Sequence, residues 1–422
     1  MRTLLSRGIL RKIKNMYKLY DYQIETINKI QEKKRVLDAS TVGTGKTAKA
    51  LNGAFGSTLI VTLKPLIPQW RREIELWQLD PSRFKVINFE SVHKAGSALQ
   101  FQTMIIDEAH KLKNRKTKNF LNCKRYASQI EYLIMLTGTP LERSPDDLWA
   151  LLNLIDSKRF KSFWKWSDKH TKKTLDKYGY SHSVGCKNEV ALQSEIQDVY
   201  IRHTNADIEA PVFIDVDCSP TPKEKKLIDL LLNKEVTILP EFNTLVESPV
   251  SRLTFIRQAA SNKIPKQDIF LDPIEDTSKF SFCLDLVDQV DKLVIFSNYR
   301  SVVERLADKL PGADFYYSGR DQEVIDKFID GDTKILCATI QSLGVGVNLQ
   351  IARHCVFYDL PFSSTEYIQS IGRFTRIGAI GYPTIYHLLC EGSRDNYIRK
   401  IISDKDKTIS LFHLAQEVIN LR

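Results

Sequence analysis

The sequence predicts an α/β protein made of two doubly wound parallel sheets with short helical insertions. Two observations carry that reading. Short apolar runs alternate with helical segments over roughly residues 17–155 and again over roughly 290–400, as expected where helices cover both faces of buried parallel strands. After the first of those runs, Thr41-Val42-Gly43-Thr44-Gly45-Lys46-Thr47 has the spacing of a phosphate-binding loop that opens a helix.

In chain order, the first stretch predicts strands at 36–37, 59–62, 86–88, 104–106 and 132–136, and the second at 293–296, 315–317, 334–338, 354–358 and 384–389. Helical patches fall near 148–154, 223–232 and 252–260. The organisation that follows is a basic extension at 1–18, then a first lobe at 19–205 with a helical, basic elaboration at about 156–200. A second lobe covers 206–422, with a helical insertion at about 222–275 and a C-terminal helix.

The loop sets the chemistry. Gly43, Thr44 and Gly45 let backbone N–H groups approach phosphate oxygens, and the helix start adds partial positive charge. Lys46 is placed to reach the outer phosphates of a nucleoside triphosphate such as ATP, and Thr47 to take a place on Mg²⁺. Ser40 stands where the usual pattern has a first glycine. Asp107-Glu108-Ala109-His110 ends an apolar run at 101–106, which puts the two carboxylates at the C-terminal end of a buried strand. There Asp107 would hold Mg²⁺ through water and Glu108 would orient or deprotonate the attacking water. Alone, the pair would equally fit exposed carboxylates opening a helix; the loop upstream favours the nucleotide site.

Composition bounds the partners. A net charge of +10 favours a polyanion, most simply nucleic acid, although a merely basic soluble enzyme has the same balance. The seven cysteines are scattered singly with no C-x-x-C pair, which argues against zinc and disulfides and for a reducing, cytoplasmic setting. No apolar run approaches membrane-spanning length, so no membrane role is expected. Arg2, Arg7, Arg11, Lys12, Lys14 and Lys18 precede the first acid, Asp21; a basic extension or an early start before Met16 is expected, and a transit peptide would look similar. Between Lys158 and Lys177, lysines interleave with Phe160, Phe163, Trp164 and Trp166. The aromatics fit either strand stacking or the buried face of a helix; the helical spacing of Phe160, Phe163 and Trp164 favours the buried face, with lysines free to touch DNA.

The ordered motifs resemble the Swi/Snf-type DNA translocases of helicase superfamily 2. Leu19-Tyr20-Asp21-Tyr22-Gln23 is similar to the adenine-reading Q element, and residues 59–70, ending Gln69-Trp70, to motif Ia. Residues 107–114 (DEAHKLKN) and 136–140 (LTGTP) resemble motifs II and III, followed by Asp146-Asp147-Leu148-Trp149. Residues 294–297, 344–349 and 369–378 resemble motifs IV, V and VI. The resemblance spans 19 to about 400 and implies two RecA-like lobes, ATP and Mg²⁺ as cofactors, and duplex, forked or branched DNA as a sequence-independent partner. It places Gln23 on adenine, Gly346 in the nucleotide site, and Arg373 and Arg376 on the γ-phosphate. Thr137 and Thr139 become a relay between phosphate and DNA, or simply the cap of a strand end. Lys64, Ser91, Ser297, Asn298, Thr339 and Gln341 become contacts to the DNA backbone.

The chain departs from the remodellers in having little outside the two lobes, in its compressed stretch from Gly312 to Lys334, and in Ala379 where a Gln is usual. These departures point toward bare rather than nucleosomal DNA, and in size and motif content the chain resembles the small branched-DNA helicases of tailed phages. The expected activity is an ATP-dependent DNA helicase or translocase, active as a monomer. A DEAH-type RNA helicase, or an ATP-binding clamp with negligible turnover, are the alternatives.

Overall fold

The computed structural model describes residues 19–141, 144–175, 181–204, 211–233, 237–239, 244–246, 249–265, 267–321, 323–343, 347, 349–361, 363–375, 381–393, 395–400 and 402. The chain divides into two compact units between Asn205 and Ala206. The basic extension at 1–18 and the expected C-terminal helix beyond 402 lie outside the described residues.

The N-terminal unit is a six-stranded parallel sheet in the order β3-β2-β4-β5-β1-β8. Its members are β1 (Arg35–Asp38), β2 (Thr58–Thr62), β3 (Phe84–Asn88), β4 (Thr103–Ile106), β5 (Tyr132–Leu136) and β8 (Tyr200–Ile201). β2 and β4 are buried along their whole length, the burial that apolar runs without alternation foretell. Arg35, at the start of β1, donates to the carbonyls of Ala127 (3.0 Å), Ile130, Leu154 and Ile155 (each 2.7 Å). One guanidinium thus satisfies the C-terminal ends of helices Lys118–Ala127 and Asp146–Ile155, whose last carbonyls lack intrahelical partners.

An antiparallel hairpin, β6 (Thr171–Leu175) with β7 (Ser181–Cys186), follows helix Phe163–His170. The expected buried stripe needs correction here. Phe160 is buried and Phe163 half-buried, but Trp164 is 65% exposed and Trp166 takes the inward place, its indole donating to Pro145 O at 2.8 Å. The helix starts only at Phe163, capped by Ser162, so Phe160 lies outside its phase. The buried face runs instead through Trp166, Ser167 and His170.

The C-terminal unit is a second six-stranded parallel sheet in the order β13-β14-β12-β15-β16-β9. It comprises β9 (Val212–Cys218), β12 (Leu293–Ser297), β13 (Ala313–Tyr316), β14 (Ile335–Thr339), β15 (His354–Phe357) and β16 (Thr384–Cys390). Val294 and Phe296 enter one apolar cluster and Leu293 and Ile295 the other, so the sheet has a core on each face. Between β9 and β12 come helices Pro222–Asn233 and Pro249–Ala259 and a short antiparallel hairpin, β10 (Thr237–Leu239) with β11 (Thr244–Val246). No helix among the described residues is long and apolar enough to cross a membrane.

Candidate active site

Sheet register builds the site. β5 lies between β1 and β4, with Asp38 level with Leu136 and Ile106 level with Met135. The segments leaving these strands, 39–45, 137–139 and 107–108, therefore emerge side by side at the C-terminal edge of the sheet, where α/β proteins bind ligands.

Gly43 and Gly45 hold φ of 89° and 70°, in the left-handed region that favours glycine. At Gly45 a second constraint applies: a β-carbon would lie 2.3 Å from Gln23 Nε2. Gly45 caps helix Lys46–Gly53, so the first-turn N–H groups, Thr47 among them, stand at the loop. Thr44 is buried and its hydroxyl donates to Thr41 O at 2.8 Å. The Lys46 ammonium curls over its own loop, donating to the carbonyls of Ser40 (2.8 Å) and Thr41 (3.0 Å). Burial pushes its pKa down to about 8, against the opposing pull of Asp38 and Glu108. A phosphate offers this cation a full countercharge in place of carbonyl dipoles.

Ser40, the departure from the usual loop, is fully buried and fully used. Its hydroxyl donates to Asp38 Oδ1 at 2.5 Å and accepts from Lys49 Nζ (3.1 Å) and from the backbone of His203 (3.0 Å). Lys49 Nζ lies 2.8 Å from Asp38 Oδ2, and both side chains have no exposure. Burial alone would raise the Asp38 pKa, but the Lys49 and Lys46 cations hold it below its ordinary value. A buried ion pair bridged by a hydroxyl thus braces the loop from beneath. Sequence reading missed it, because Asp38 looks like a strand end and Lys49 like a surface helix lysine.

Asp107 is half-buried among donors: Trp70 Nε1 (2.9 Å) and Thr62 Oγ1 (3.0 Å) bind Oδ2, and the Glu108 backbone N–H (2.9 Å) binds Oδ1. Burial, and then Glu108, push its pKa up to about 6. Glu108 has φ 49°, an uncommon conformation for a non-glycine residue and one concentrated at functional sites. Its carboxylate is 3.2 Å from His110 Nδ1, which also lies 3.2 Å from Thr137 Oγ1; that hydroxyl accepts from the Thr139 N–H at 3.2 Å. Thr137 and Thr139 are both buried, so the segment after β5 is wired to Glu108 through His110. A β-carbon on Gly138 would come within 3.1 Å of Val42 and 3.9 Å of Lys46 Nζ. Trp70, Thr62, His110 and Gly138 fall inside the motifs but were given no role from sequence; β2 beside β4 brings Thr62 and Trp70 to Asp107, and β5 between β1 and β4 brings in Gly138 and the partner of His110.

Gln23 is buried and serves here as a strut: Nε2 donates to Thr44 O at 3.2 Å and Oε1 accepts from Tyr20 N at 3.0 Å. Tyr22 reinforces it, donating to Thr44 O at 3.2 Å. The residues fit the implied ligands, with a cation over a glycine-supported loop and a carboxylate fixed beside it. Thr47 and Asp107 would hold Mg²⁺, which when bound neutralises phosphate charge.

In the N-terminal unit, Lys64 is exposed at the start of the short helix Lys64–Leu66, and Ser91 is half-buried within Phe89–Lys94. In the C-terminal unit, the expectation of a surface hydroxyl at Ser297 fails. Ser297 is fully buried and donates to Asp359 Oδ2 at 2.5 Å, because a carboxylate at the end of β15 needs partners out of water. Asn298 donates to the same carboxylate and to Leu360 O (2.7 Å) and remains half-exposed. Thr339 is half-exposed and Gln341 exposed after β14. Arg373 is 6% exposed, and its carbonyl accepts from Leu349 N at 3.1 Å. Arg376 and Gly346 lie outside the described residues.

Residues 86–235 match the SNF2-related domain, and residues 278–378 the helicase conserved C-terminal domain. The chain belongs to the Snf2-type helicases of superfamily 2. This Snf2-type chain is an ATPase of that family, and its phosphate loop, which precedes the matched residues, is supported by its own geometry. It is 24% identical over 459 residues to YqhH of Bacillus subtilis, an uncharacterized ATP-dependent helicase, covering 94% of itself and 79% of that protein. It is 23% identical to the CHD3-type chromatin-remodeling factor CHR7 of Arabidopsis thaliana and 24% to human chromodomain-helicase-DNA-binding protein 6. The chain spans only 38% of the plant relative and 18% of the human one, while 95% and 97% of its own length is matched. Among solved structures, the Sulfolobus solfataricus SWI2/SNF2 ATPase core in complex with dsDNA aligns over 94% of this chain and 92% of that one, with a TM-score of 0.40 and 18% identity.

Proposed function

We propose that this Snf2-type ATPase is a DNA motor that converts ATP hydrolysis into movement along DNA, acting as a monomer at forks or branches without reading sequence. The observation that carries the reading is the meeting of Lys46, Asp107, Glu108 and Thr137 at adjoining strand ends, a complete hydrolytic set. Lys46 and Thr47 hold the triphosphate and its metal, and Glu108 orients the attacking water. The net charge of +10 supports a polyanionic track, and Lys64, Ser91, Asn298, Thr339 and Gln341 supply ammonium, hydroxyl and amide groups suited to phosphates rather than base edges.

The test is ATPase rate against single-stranded, duplex, forked and four-way DNA and against RNA, paired with strand displacement on the forked substrate. Stimulation by DNA, greatest on branched forms and independent of sequence, is the expected result. Stimulation by RNA alone would make the protein an RNA helicase, and binding without turnover would make it a clamp.

A further inference from the structure

We propose that Trp164 is a stacking site for an unpaired nucleobase of single-stranded DNA. Of the five tryptophans, Trp70, Trp149 and Trp166 are buried and Trp77 is half-buried, whereas Trp164 is 65% exposed. Its ring is not loose. Phe163 meets it edge-on at 5.2 Å and 74°, and Trp149 meets Phe163 in turn at 5.5 Å and 83°. The Arg115 guanidinium lies 4.2 Å from the Phe163 ring centre and 5.9 Å from that of Trp164. An aromatic pinned in water by a second aromatic and a cation is organised in advance, so a base that stacks on it loses little further side-chain freedom.

The surroundings suit the rest of a nucleotide. Lys161 and Lys165 are exposed on either side of Trp164 in sequence, and Arg115 adds a third cation for phosphates. The one carboxylate a helical turn away, Asp168, is 2.9 Å from Lys173 and so largely compensated. Nothing in this set reads a base edge; it takes any base by its face and any strand by its charge, which is single-strand rather than duplex recognition, since paired bases hide their faces. The proposal rests on the DNA-motor reading and adds to it the part of a branched substrate that this surface holds.

Full-length parent, Trp164→Ala and Trp164→Phe are compared by anisotropy at one salt concentration. The probes are a blunt duplex, the same duplex with two oligo-dT arms, and free oligo-dT. Trp164→Ala is expected to lose about ten-fold in affinity for both probes with unpaired bases, equivalent to about 1.4 kcal/mol, while its blunt-duplex affinity stays within about two-fold. Trp164→Phe should recover most of the loss, and equal melting temperatures exclude misfolding as the cause. Unchanged forked-probe affinity in Trp164→Ala, or an equal loss on all three probes, overturns the stacking site. The motor reading fails separately, if no DNA stimulates the ATPase of the parent.

Discussion

Lys49→Met puts the brace beneath the phosphate loop to a quantitative test. Lys49 Nζ and Asp38 Oδ2 are 2.8 Å apart with neither side chain exposed, and the substitution keeps volume while stranding the Asp38 carboxylate in a dry site. Removing one member of a buried pair costs about 3–5 kcal/mol, because the remaining charge keeps its desolvation penalty and loses its partner. At about 2–4 °C per kcal/mol for a unit of this size, melting of the N-terminal unit should fall by about 6–20 °C. Scanning calorimetry without nucleotide is the assay, since a ligand that binds only the folded state would mask part of the loss. The double substitution Asp38→Asn with Lys49→Met should recover most of it, because both charges are gone and the amide oxygen can still accept from Ser40. A single mutant melting within about 2 °C of the parent, or a double mutant as unstable as the single one, would refute the brace.

Three further outcomes follow from the geometry. Glu108→Gln should bind ATP near the parent affinity yet lower turnover by about 10²–10⁴-fold, as single-turnover phosphate release would read; parental turnover removes Glu108 as the water-orienting group. Gly45→Ala should lose ATP binding in a fluorescent-nucleotide titration and cost about 1–2 kcal/mol in left-handed backbone strain, while also displacing Gln23; unchanged binding would contradict the loop geometry. His387 predicts a defined acid sensitivity. It is fully buried, with Nδ1 2.6 Å from Asp215 and Nε2 2.8 Å from the Tyr367 hydroxyl, partners that suit a neutral ring. Burial and then Arg399 push its pKa down to about 4 from an ordinary 6.5. Between those values the unfolded chain binds the extra proton, so stability should fall as pH drops from about 6.5 to 4, by about 3 kcal/mol in total. Asp215, held below its ordinary 3.8 where the Arg399 and His387 bonds outweigh burial, acts only at lower pH. Urea melts of parent and His387→Gln across that range decide it: the parent should show the slope and the mutant should lose it.

Most of the secondary structure, and the chemistry of the site, could be read from the chain because both are local. Each of the ten predicted strand segments overlaps an observed strand, most plainly the central ones, since a parallel strand buried on both faces is simply an apolar run. Lys46 and Asp107 announce themselves because loop and carboxylate motifs each fit within a few consecutive residues. What failed to show was whatever depends on which residues meet across the sheet. The edge strand β8 is only two residues long, and β9 is an apolar run that lies largely exposed at the edge of its sheet; pairing with β1 and β16 defines them. The phase of the helix that turns Trp164 outward was set by a cap at Ser162 and by the Trp166 bond to Pro145, neither visible as periodicity. Likewise Ser297 has the composition of a phosphate contact and the position of a buried anchor for Asp359. The sequence alone determined that a triphosphate could be bound and hydrolysed. Only tertiary structure decided what braces that site: Asp38 meets Lys49 because the helix after the loop packs back over β1, while Trp70 with Asp107 and Gly138 with Lys46 become neighbours through strand order, which no local window of sequence contains.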